Sequence, residues 1–209
     1  EFENLNLHTF YSRSESTAIS FKDKYNFDKY STCLEDMAKD ENLDAIYIAS
    51  PNAIHHDQAI LFLQNKKHVL CEKAFASNYK EALNMINTAK ENNVVIMEAM
   101  RITVTPNFKI LKDNLHKIGE VRRCFASFCQ YSSRYDKYKE GTILNAFKKE
   151  LSNGALMDIG VYCLAPIINL FGLPNNIKSN TFLLNTGVDG QGSAILDYGT
   201  MDAVLIYSK

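Results

Sequence analysis

Apolar positions in the first hundred residues switch repeatedly between strand-like runs and helix-like spacing. Leu5 to Tyr11 is a short β-type run, and Ser12-Arg13-Ser14 leads into a helical pattern with Ala18, Phe21 and Tyr25 on one face. Thr32 to Lys39 reads as a short helix. Asp44 to Ala49 is a near-continuous apolar strand of the kind buried on both faces, and it ends at Ser50-Pro51-Asn52, where proline forces the chain out of the sheet. A helix with Ala59, Ile60 and Leu63 inside follows, then Val69-Leu70 as a buried strand running to Cys71. Asn78 opens the next helix with Glu81 three residues on, burying Ala82, Met85, Ile86 and Ala89, and Val94 to Met97 is a further strand. Strand and helix alternating in this way predict a parallel, doubly wound α/β sheet with right-handed crossovers.

The pattern changes after Met100. Thr105-Pro106 is a cap followed by proline at the first helical position, and Phe108, Leu111, Leu115 and Ile118 make one stripe closed by Gly119. Val121 to Tyr131 reads as a long strand, and Ser132 to Lys149 as a polar, Tyr- and Lys-rich loop over a site. Gly154 opens an apolar helix, Ala155 to Phe171, with a kink expected at Pro166. Strands at about 179 to 186, 192 to 198 and 201 to 207, joined by turns at Asp189-Gly190 and Tyr198-Gly199, predict an antiparallel meander. Two domains follow, 1–103 and 104–209, the second an α+β unit with an open, largely antiparallel sheet.

With 209 residues, 46% apolar, the chain has material for a real core. A formal charge of −1 gives no general attraction to nucleic acid or anionic lipid. No apolar stretch reads as a membrane span of ~20 residues, and the expected location is the cytoplasm. Cysteines at 33, 71, 124, 129 and 163 are odd in number and lack paired metal-ligand spacing, so reduced thiols are expected.

The candidate chemistry gathers at Glu72-Lys73. A charged pair directly after a short apolar strand sits where open parallel sheets collect ligands, beyond the carboxyl ends of their strands. A lysine there is an acid or base if its surroundings tune it, or a fixed charge for a hydroxyl or phosphate. Cys71 reads as a small buried hydrophobe rather than a nucleophile, and Glu72-Lys73 could equally be a surface ion pair. His55 and His56 diverge by about 100 degrees on a helix and have no accompanying carboxylate pair, so no metal is expected.

Four segments together resemble the family of glucose-fructose oxidoreductase, inositol dehydrogenase and MocA. Ser50-Pro51-Asn52-Ala53-Ile54-His55 is similar to its Thr-Pro-Asn-x-x-His, and Cys71-Glu72-Lys73-Ala74 to its Glu-Lys-Pro. Glu98-Ala99-Met100 resembles the strand end facing the nicotinamide, and Gly154 to Tyr162 the helix with an Asp and, four residues later, a His or Tyr. The resemblance implies an incomplete Rossmann-type domain followed by the α+β domain. It also implies hydride transfer between NADP or NAD and a hydroxyl-bearing carbon of a sugar, polyol or dihydrodiol, the tyrosine version being nearest the dihydrodiol dehydrogenase branch. Tyr162 would be the acid/base, Lys73 would polarise the substrate oxygen and ease loss of the Tyr162 proton, and Asp158 would orient them. Ser12 and Arg13 stand where an acidic residue would hold the ribose of NAD, and a Ser-Arg pair suits the 2′-phosphate of NADP. Ser50, Pro51, Asn52, His55 and Glu72 would lie along the dinucleotide, with Arg101 reaching cofactor or substrate. Relatives pair through the open second-domain sheet, and alternation at Phe182, Leu184, Ile195 and Leu205 fits an apolar face for a homodimer or higher oligomer.

Two departures stand out. Ala74 replaces the family's proline, leaving Lys73 on a less stiff turn, and no Gly-rich phosphate loop is present. The chain starts at what corresponds to a second strand, so a sheet split at its centre is expected. Judged by typical two-domain size, an incomplete sequence is expected, with roughly 30 further residues at the start and about 100 at the end. A nucleotide-sensing regulator and an inactive truncated homologue are the competing readings.

Overall fold

The computed structural model describes residues 4–209, which fall into two units. The first comprises residues up to Ala49, Ile54–Cys71 and Asn78–Met97; the second takes Ser50–Ala53, Glu72–Ser77 and everything from Glu98 on. Residues 1–3 of the expected first domain lie outside the described residues.

In the first unit, β1 (Thr9–Tyr11) is followed by α1 (Glu15–Tyr25), β2 (Lys29–Ser31), α2 (Leu34–Lys39), β3 (Ala45–Ile48), α3 (His55–Gln64), β4 (His68–Cys71), α4 (Tyr79–Glu91) and β5 (Ile96–Glu98). Helix starts obey local chemistry. Ser14 caps α1 by accepting from the Thr17 N–H, and Asn78 caps α4 by accepting from the Glu81 N–H while donating to its carboxylate. α1 ends on Asn26 in the left-handed region, which asparagine tolerates. β2 was not foreseen, because Lys29-Tyr30-Ser31 is short and polar and forms only by pairing with β1. The parallel strands make two sheets, β1-β2 and β3-β4-β5. Among the described residues, β1-β2 and β3-β4-β5 are not hydrogen-bonded to each other. The core beneath holds Phe62, Leu63, Met85, Val69 and Ala59, all at most 3% exposed. Ile86, by contrast, is 37% exposed. Phe21 and Tyr25 are 36% and 44% exposed; Phe21 stacks on Phe10 at 3.9 Å between centroids, and Phe27 meets Phe10 edge-on.

The second unit runs through α5 (Pro106–Asn114), β6 (Arg123–Cys129), α6 (Tyr135–Lys139), α7 (Val161–Phe171), β7 (Asn176–Leu183), β8 (Asp189–Asp197) and β9 (Asp202–Ser208). The predicted stripe holds at Phe108, which is buried, and at Leu115, which is half-buried; Leu111 and Ile118 are exposed, and a tighter turn from Leu115 to Ile118 ends at Gly119. β7, β8 and β9 form the expected antiparallel meander, but β6 joins it in parallel beside β9, giving a mixed sheet in the order β6-β9-β8-β7. Asp189-Gly190 is not a turn but the start of β8; the reversal is at 184–188, where Gly187 adopts φ +78. Residues 132–149 are not an open loop either. They carry α6 and a buried Phe147, against which Tyr135 and Tyr138 pack.

The inner sheet face buries Leu196, Ala203 and Leu205 against Cys163 and Ile167 of α7. Leu205 therefore belongs to the core rather than to the open face, and Leu184 packs towards Phe147. The outer face carries Phe125, Ile195 and Ile206, aligned by the strand registers and each at least 39% exposed. One expectation is corrected by the helical region beneath: Lys149–Phe171, 23 residues, is long and apolar enough to cross a membrane by length and composition. Of its apolar residues, Ala155, Ile159, Cys163 and Ile167 pack against the sheet, while Leu156 is 39% exposed.

Candidate active site

The second unit brings together three of the residues singled out in the sequence. Lys73 lies just after β4, and Asp158 and Tyr162 lie four residues apart where a π-helical turn, Leu156–Gly160, runs into α7. Such wide turns are frequent at functional sites because they re-aim a side chain. Gly154 makes this one possible: it adopts φ +153, and a Cβ there would stand 1.8 Å from Asp189 Oδ1. The freed carboxylate of Asp189 accepts the Leu156 N–H at 2.6 Å and so caps the turn.

The Lys73 ammonium donates to both Asp158 Oδ1 and the Asp158 carbonyl, each at 2.8 Å, and stands 5.0 Å from the Tyr162 ring centroid. At that distance a cation is attracted to the aromatic face. Tyr162 is half-buried, with Phe128 against its ring. The other carboxylate oxygen, Oδ2, accepts from Lys209 Nζ at 3.1 Å. Burial pushes the Asp158 carboxyl upward, but the hydrogen bond from Lys73 and the charge of Lys209 outweigh it and hold the group below its ordinary range. Lys209 moves down as well: desolvation disfavours its ammonium more than Asp158 favours it. Its side chain is 0% exposed. Nothing in the sequence pointed to Lys209, since a lysine after a strand ordinarily reads as solvated.

The loops after β3 and β4 support this cluster. Asn52 donates to the Ser152 carbonyl at 3.0 Å, and Ser152 Oγ bonds Ser77 Oγ at 2.7 Å. The Asn52 amide, expected along a dinucleotide, thus holds the segment leading to Asp158. Glu72 Oε2 accepts the Lys73 N–H, Glu98 Oε1 accepts the Phe75 N–H, and the Lys73–Ala74 peptide is cis. Ser50 and Pro51 are half-buried in the same unit, and Arg101 is exposed at the start of a short turn after β5.

In the first unit, Ser12 and Arg13 stand at the carboxyl end of β1. The Ser12 N–H pairs with the Ser31 carbonyl, its hydroxyl accepts the Ser14 N–H, and Arg13 is exposed. Glu15, the nearest acid, accepts from Tyr30. An exposed guanidinium beside a hydroxyl fits a phosphate. His55 is wholly buried at the start of α3. All nine glycines lie at 119 or beyond, so no residue of this chain forms a glycine turn for a pyrophosphate. Among the described residues no group of three His, Cys, Asp or Glu is placed to hold a metal ion.

Residues 1–100 match the family described as "Oxidoreductase family, NAD-binding Rossmann fold", GFO_IDH_MocA. Over all 209 residues the chain is 56% identical to scyllo-inositol 2-dehydrogenase (NADP(+)) IolU of Bacillus subtilis, covering 64% of that protein. This chain belongs to the Gfo/Idh/MocA oxidoreductase family. It is also 35% identical, over 93% of its length and 58% of the relative's, to trans-1,2-dihydrobenzene-1,2-diol dehydrogenase of Xenopus tropicalis. Among solved structures, myo-inositol 2-dehydrogenase from Lactobacillus plantarum shares the fold of this chain with a TM-score of 0.86 at 18% identity, over 100% of this chain and 63% of that one. The chain thus spans about three-fifths of the length of these relatives.

Proposed function

We propose that these residues belong to an NADP-linked dehydrogenase that oxidises a CH–OH group of a cyclic polyol or diol. The observation that carries this reading is the Lys73–Asp158–Tyr162 cluster, in which an ammonium is fixed at 2.8 Å on a carboxylate and held over a tyrosine ring. A bound NADP would supply the nicotinamide as acceptor for the hydride of the hydroxyl-bearing carbon. Tyr162 takes the hydroxyl proton as the carbonyl forms. With two of its protons committed to Asp158, Lys73 acts as a donor rather than a base, and its charge favours the negative charge that develops on the reacting oxygen. Arg13 and Ser12 would hold the 2′-phosphate, and Ser50, Pro51, Glu72 and Arg101 would line the dinucleotide. His55, buried in the first unit, would support that segment without touching the cofactor.

Similarity to an inositol dehydrogenase and to dihydrodiol dehydrogenases supports a ring-borne vicinal diol as substrate. Division into a dinucleotide-binding domain, 1–103, and a substrate domain, 104–209, belongs to the same reading, as does association of copies through the outer sheet face around Phe125, Ile195 and Ile206. The five cysteines are all free thiols, which suits a reducing, cytoplasmic setting. The test is steady-state oxidation by the full-length protein of scyllo-inositol, myo-inositol and trans-dihydrobenzenediol, with NADP and with NAD. Turnover with NADP that Tyr162→Phe abolishes supports the reading. Absence of turnover, together with undiminished NADPH binding, would favour a nucleotide sensor.

A further inference from the structure

Lys209 is a second buried cation in the site, and the reaction as described above makes no use of it. Its ammonium lies 3.1 Å from Asp158 Oδ2 and 3.5 Å from the Gly154 carbonyl, and 5.2 Å from the centroid of the buried Phe147 ring. Asp158 therefore bridges two ammoniums, one on each oxygen. Burying a lysine for packing alone is unfavourable, since an apolar side chain of similar volume would fill the space without the desolvation cost. What an apolar side chain could not do is hold Oδ2. A carboxylate bonded through one oxygen can swing about its terminal torsion, whereas one bonded through both has its plane set.

We propose that Lys209 is a positioning residue for the dehydrogenase reaction: it fixes the Asp158 carboxylate so that the Lys73 ammonium stays over Tyr162, and it takes up part of the carboxylate's charge so that Lys73 is not neutralised. This rests on the reading of Lys73, Asp158 and Tyr162 as the reacting cluster. The charged and titratable groups facing the pair are Lys73 after β4, Tyr162 on α7 and Asp189 at the start of β8. Asp189 ties the arrangement together, because it caps the turn that carries Asp158 and also acts on Lys209 through its charge.

The experiment uses the full-length protein with Lys209→Met, Lys209→Gln and Lys209→Arg. Two quantities are read: the pH profile of kcat and KM for the preferred polyol, and the titration midpoint of the Asp158 carboxyl by carbon-13 NMR, assigned with Asp158→Asn. Lys209→Met is expected to lower kcat roughly 30-fold with KM changed by less than ~3-fold, the signature of misplaced reacting groups. Its Asp158 midpoint moves up, because burial is then opposed by one cation instead of two, and the acidic limb of kcat follows it. Lys209→Arg restores both quantities at least in part. Should Lys209→Met fail to fold, Lys209→Gln keeps a donor without the charge, and the midpoint must still rise. An active wild type whose folded Lys209 variants keep both kcat and the midpoint overturns the role of Lys209 alone. A kcat loss with no change in midpoint and no rescue by arginine overturns it too, as a purely structural effect. A wild type that turns over no polyol, while NMR shows the raised midpoint in Lys209→Met, overturns the reaction reading instead.

Discussion

Positive charge is handled in opposite ways in the two units. Arg13 stands exposed after a three-residue strand, on a unit whose first two strands, among the described residues, pair with each other alone. Lys73 and Lys209 are withdrawn from water, at 16% and 0% side-chain exposure, and clamp one carboxylate between them. An exposed guanidinium is cheap to maintain and ready for an anionic ligand. Two ammoniums around Asp158 are costly to bury and serve a different purpose, the fixing of direction. On the proposed function, the binding charge would sit on a lightly built edge, whereas the reacting charge is held in a closed frame of sheet, wide helical turn and capping carboxylate.

The hardest test of that contrast is removal of the shared carboxylate. Asp158→Asn leaves two ammoniums facing each other. It is expected to lower kcat by about 10²–10⁴-fold and to cost roughly 2–3 kcal/mol of stability, less than for a wholly buried pair because Asp158 is 33% exposed. Kinetics and urea unfolding measure the two effects, and an Asp158→Asn protein as stable and active as wild type would break the contrast. Tyr162→Phe separates chemistry from frame. The ring and its contact with Lys73 survive, so kcat should fall about 10²–10⁴-fold while the melting temperature moves little.

Arg13→Ala probes the other side. Loss of one charge-assisted contact should weaken NADPH binding about 10–100-fold and leave NADH binding unchanged, with no effect on stability, as fluorescence titration would show. Equal weakening of both cofactors would move the phosphate site elsewhere. A smaller effect is expected from acid. Asp158 has its carboxyl depressed in the fold, so its contribution is present above the ordinary carboxyl range near pH 4 and is lost as pH falls through the lowered folded value. Unfolding followed from pH 5 to pH 2 should show that loss in wild type and a blunted one in Asp158→Asn. Smallest of all, Arg122→Ala removes the exposed pair with Glu120 and should leave the melting midpoint within experimental scatter.

Much of this was legible in the sequence because it is local. Helix caps at Asn78 and Thr105 act over three residues, so the local sequence specifies both. Strand and helix periods identified the parallel unit, and the spacing of Asp158 and Tyr162 placed them together. The tertiary structure alone decided what depends on residues far apart. Lys29-Tyr30-Ser31 has no strand signal and becomes β2 only beside β1. The parallel pairing of β6 with β9 spans more than seventy residues, and no local pattern distinguishes it from an antiparallel partner. Asp189-Gly190 has turn composition, yet its carboxylate is claimed by the backbone at Leu156, and the reversal falls on Gly187 instead. Lys209 reads as an ordinary surface lysine. The fold buries it because a carboxylate fifty-one positions earlier in the chain waits there to pair with it, and such long-range electrostatic compensation leaves no trace in spacing or composition.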